Sequence, residues 1–101
     1  MPQPLIELGG QSTAPVMHIA VANGFPPQTY IPMLRPLMAD YRVVSLPPRA
    51  LWGGEIPPTG YRDWWMLADD LLAGLDQYHL QDVIAIGHSF GAIATLLAVT
   101  K

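Results

Sequence analysis

Three short apolar runs divide the chain. Pro15 to Ala22 (P-V-M-H-I-A-V-A), Tyr41 to Leu46 and Asp82 to Ile86 are rich in β-branched residues, and the first is closed by Asn23-Gly24, a turn signal. Runs that are continuously apolar, rather than alternating, predict strands of a parallel sheet covered on both faces. Leu5 to Leu8, ahead of Gly9-Gly10, is a weaker strand pattern and is expected at an edge.

Between the strands the spacing changes to that of helices. Gln28 to Asp40 repeats apolar residues at Tyr30, Ile31, Met33, Leu34, Leu37 and Met38, with Pro32 and Pro36 expected to delay or kink the helix. Tyr61 to Tyr78 places Tyr61, Trp64, Trp65, Ala68, Leu71, Leu72 and Leu75 on one stripe. Arg62, Asp63, Asp69, Asp70 and Asp76 fall on the other side, as a solvated face. Gly91 to Lys101 is helix-competent and mostly apolar. The order strand, helix, strand, helix, strand, helix predicts an α/β fold, a mostly parallel sheet with helices on both faces, in one domain spanning 1–101. Ser45 to Gly60 is the long irregular connection, leaving the carboxyl end of a strand, where open α/β sheets bind ligands.

Composition narrows the function. Half of the 101 residues are hydrophobic and 13% are charged, which fits a globular chain. Five Lys and Arg against eight Asp and Glu give a formal charge of -3, so a nucleic-acid partner has no basic footprint. Without cysteine there are no disulfides or zinc-thiolate sites, and no metal or other cofactor is expected. The apolar stretch from Val83 to Val99 is broken by Gly87, His88 and Ser89, so no membrane span is expected. The amino terminus has no basic start followed by an apolar run, which leaves the cytoplasm as the expected location.

The chemistry gathers at Gly87-His88-Ser89-Phe90-Gly91. This G-x-S-x-G sequence follows a strand pattern and precedes a helix pattern. A turn this sharp lifts the serine hydroxyl clear of the sheet and leaves no room for side chains at its ends, where glycines stand. In this the chain resembles the α/β-hydrolase superfamily, its serine-nucleophile branch, from about Pro15 onwards. Asn23-Gly24-Phe25-Pro26-Pro27 is similar to that family's oxyanion loop, with Asn where His is usual. The resemblance implies acyl transfer from an ester-like small molecule, with Ser89 as nucleophile and the backbone N–H groups of Phe90 and Phe25 as oxyanion donors. Gly87, His88, Gly91, Asn23 and Gly24 would support the motif, and Tyr30 and Trp52 would line the substrate pocket or simply pack. A nucleotide-binding loop fits less well, since Ile93 stands where a third glycine is needed and no Lys follows Gly91.

The same resemblance places a catalytic acid and a histidine after the serine, yet Phe90 to Lys101 contains neither. His88 is expected to pack or hydrogen-bond near the elbow, His18 to sit satisfied in the core, and His79 to lie at the far end of the serine strand. The chain therefore resembles the amino-terminal half of a hydrolase, an incomplete fold truncated after the elbow helix. Two alternatives stand beside an active enzyme: a catalytically inactive fragment or interaction module, and a half completed by a second polypeptide through the open sheet edge.

Overall fold

The computed structural model describes residues 3–22, 25–48 and 64–100. Asn23, Gly24, Trp52, Asp63, the start of the helix at Tyr61 and most of the Ser45 to Gly60 connection lie outside the described residues. Among the described residues four strands form one mixed sheet: β1 (Ile6–Gly9), β2 (Val16–Ala20), β3 (Arg42–Ser45) and β4 (Ile84–Gly87), in the order β1-β3-β2-β4. β2 runs parallel to both neighbours, with Met17 opposite Val43 on one side and Ile84 on the other. β1 pairs antiparallel with β3 at one edge, and β4 forms the other. The expected strands are thus all present, and the weakest pattern is indeed an edge.

The segment expected as one helix over Gln28 to Asp40 is broken into three turns: a 3₁₀ turn at Pro27–Tyr30, α1 (Ile31–Leu34) and a second 3₁₀ turn at Arg35–Ala39. Pro27, Pro32 and Pro36 each stand near the start of one of these turns. Proline suits a first turn but cannot donate to a continuing helix, so three prolines at this spacing restart it twice. α2 covers Trp64–Gln77 and α3 covers Phe90–Ala98. α2 ends in a Schellman arrangement, with His79 at φ 55° and the N–H of Leu80 donated to the carbonyl of Leu75 at 2.9 Å.

The sheet separates two cores. Leu8, Met17, Ile19, Val21, Tyr30, Leu34 and Val43 pack on the face covered by the 27–39 segment. On the other face Leu46 packs with Ala68 and Leu71 of α2 and Ala98 of α3. Trp65, placed on the apolar stripe by spacing, is 45% exposed instead. The buried stripe of α2 is centred on Leu67, Ala68, Leu71 and Gly74, one step around from the expected one. Asp69 and Asp76 are exposed as expected. Gln3 ties the start of the chain to α2, its side-chain amide donating to the carbonyl of Asp70 at 2.6 Å. Among the described residues no helix is long and apolar enough to cross a membrane.

Candidate functional site

β4 delivers the chain to Gly87, and α3 begins at Phe90, so the junction has two residues in which to reverse direction. Ser89 occupies the second of them with φ 54° and ψ −114°, a left-handed conformation that ordinary side chains avoid at a cost of roughly 1–3 kcal/mol. The surrounding contacts impose it. A Cβ on Gly91 would stand 2.0 Å from the carbonyl oxygen of Ala20, and one on Gly87 would stand 2.5 Å from Cα of Ala92. Backbone thus approaches backbone on both sides of the serine, and only glycine fits.

The turn is held by main-chain bonds. The N–H of His88 donates to the Ala20 carbonyl at 3.0 Å, anchoring the elbow to the end of β2. The N–H groups of Gly91 and Ala92 donate to the carbonyls of His88 and Ser89, each at 2.9 Å, and start the helix. Ser89 is exposed, and its hydroxyl has no hydrogen-bond partner among the described residues. Phe90 supplies the first N–H of α3, at the positive end of the helix dipole.

Tyr30 has a role its sequence position did not reveal. Its ring is buried in the first core, so it packs rather than lining an open pocket. Its hydroxyl accepts the N–H of Ala22 at 2.9 Å and meets Nδ1 of His88 at 2.8 Å. One phenol therefore joins the segment after β2 to the turn between β4 and α3. The Tyr30 and His88 rings meet edge to face at 5.7 Å, and Phe25 caps the pair, with its centroid 6.0 Å from that of His88. The signal available in the sequence is chemical and general: a tyrosine that becomes buried needs a partner for its hydroxyl.

The N–H expected to serve as a second oxyanion donor, that of Phe25, already has a main-chain partner. It donates to the carbonyl of Ala22 at 3.1 Å, so a substrate oxygen reaches it only if that bond opens.

No histidine is placed as a base for Ser89. His88 is held through Nδ1 against Tyr30. His18 is 1% exposed, and its Nε2 accepts the N–H of Leu46 at 3.0 Å. Burial pushes its pKa down to about 4, so the ring is neutral. His79 is exposed beyond α2, at the amino end of β4, while Ser89 follows the carboxyl end. Beneath the elbow, Ala20, Phe90, Gly91 and Ala94 share a cavity of about 40 Å³ with Leu46 and Leu67, room for a water or a methyl group. The chain matches no family model and no curated protein.

Proposed function

We propose that Ser89 is the nucleophile of an α/β-hydrolase-type serine hydrolase acting on carboxylic esters. The observation that carries this reading is the conformation of Ser89: an exposed hydroxyl, unpaired among the described residues, on a residue held at positive φ between two glycines whose Cβ positions are filled by backbone. Strain of this kind persists where the surroundings enforce it, and it aims the side chain away from the sheet. In the reaction, Ser89 Oγ adds to the ester carbonyl and gives its proton to a base. The oxyanion that forms is held by the Phe90 N–H, and by the Phe25 N–H once it leaves Ala22. The alcohol then departs with a proton, and water releases the acid from the acyl-serine. The base and its orienting carboxylate come from outside the described residues, on this polypeptide or a second one.

A second reading is favoured by the positions of the histidines: a chain that keeps the topology as an interaction module, without turnover. Reaction with a fluorophosphonate separates the two. An elbow with a working oxyanion donor labels Ser89 about 100-fold faster than a model serine amide even without a base, and Ser89→Ala abolishes the label. Labelling no faster than the model compound would overturn the hydrolase reading for this chain and leave the module.

A further inference from the structure

A second cavity, of about 240 Å³, lies between α2, α3 and the amino end of β4. Ser89 follows the opposite end of that strand, so the two places are separate. Leu71, Leu75, Val83 and Ala98 form its apolar wall, and His18 and Thr95 also border it. Each has a polar atom with no partner among the described residues. Because His18 Nε2 accepts the Leu46 N–H, the proton of its neutral ring sits on Nδ1, and that donor has no partner among the described residues. The Thr95 hydroxyl is buried and likewise unpaired among the described residues. A buried polar group without a partner costs about 1–3 kcal/mol, so the Thr95 hydroxyl at this cavity points to an occupant that satisfies it.

We propose that this cavity binds a small uncharged molecule, a compact hydrocarbon ring carrying one oxygen that accepts hydrogen bonds from His18 and Thr95. The size is ample, since an apolar cavity of about 150 Å³ already holds benzene. The charge follows from the walls. Asp82 borders the cavity and repels an anion, and the aliphatic lining makes any ion costly to bury. A ring without oxygen would fill the space and leave both polar groups unpaired.

Cyclohexanone, titrated into the protein and followed by amide NMR, is the probe, with cyclohexane as its oxygen-free counterpart. Saturable shifts centred on Leu75, Thr95 and Ala98 are expected, with cyclohexane bound more weakly. Thr95→Val keeps the shape, removes the hydroxyl and should weaken cyclohexanone roughly tenfold. Val99→Trp, at the exposed rim, should block entry without disturbing the core. Absence of saturable shifts would overturn the proposal. So would binding unaffected by both substitutions, or cyclohexane bound as tightly as cyclohexanone.

Discussion

His18 stands in the middle of β2 with almost no exposed surface, and its one hydrogen bond to the main chain fixes the position of Leu46. Desolvation is the cause of its lowered pKa, about 4 against an ordinary 6.5. The direction of the consequence is determined by which state holds the proton. Between these values the unfolded chain binds a proton at His18 and the folded protein does not, so falling pH favours unfolding. Stability contributed by the neutral ring is complete above about pH 6.5 and is withdrawn as pH drops toward 4, by an amount on the order of 3 kcal/mol. His18→Gln retains an acceptor for the Leu46 N–H and cannot titrate. Urea unfolding at pH 7, 5.5 and 4 should show the variant losing less stability than the natural protein over this window. Equal losses in both would show that His18 is not the titrating group.

At the scale of elements, the elbow and the loop after β2 are one unit because Tyr30 bonds to both. Tyr30→Phe deletes the shared hydroxyl, leaves the buried N–H of Ala22 without an acceptor and releases His88 Nδ1. We expect a loss of about 1–3 kcal/mol in stability and a severalfold slower fluorophosphonate reaction at Ser89 under conditions where the variant is fully folded. An unchanged labelling rate would reduce Tyr30 to a packing residue. How much of this was readable beforehand depended on distance along the chain. The β4–α3 junction was legible because strand, glycines and helix are neighbours in sequence, and backbone sterics act locally. The Tyr30–His88 bond spans 58 positions, and no local pattern announces it. Likewise the oxygen that forbids a side chain at Gly91 belongs to Ala20, which sequence alone does not bring near. The exposure of Trp65 was missed for a related reason: a helix with apolar residues on adjacent columns can turn either toward the sheet, and the choice of Leu67 and Gly74 is made by packing. Pro32 and Pro36 imply a delayed or kinked helix, but the three separate turns over 27–39 depend on which hydrogen bonds the packed segment retains.

For the whole molecule, the two sheet edges differ in kind. β1 shields its side with charge: Glu7 and Arg42 pair across β1 and β3, and Arg42 holds the Glu7 carboxyl below its usual range. At the opposite edge β4 pairs, among the described residues, only with β2, and Ile84, Ile93, Leu96 and Val99 are exposed. From Val83 to Thr100 the sequence has no Asp, Glu, Lys or Arg to discourage strand addition. Self-association that rises with concentration is the expected result in sedimentation equilibrium, and Ile84→Lys combined with Leu96→Lys should suppress it. A natural chain that stays monomeric throughout would argue against the edge as a contact surface.

The division into two cores also has a consequence for the order of assembly during synthesis. Every fully buried member of the first core lies between Leu8 and Val43, whereas the second must wait for Ala68, Leu71 and Ala98. A chain emerging from the ribosome amino end first can therefore pair β1, β2 and β3 and enclose Tyr30 before α2 has been made. When the elbow arrives, the Ala20 carbonyl and the Tyr30 hydroxyl are already in place. The bend at Ser89 is then shaped against a finished template, which spares the nascent chain from creating a strained turn unaided.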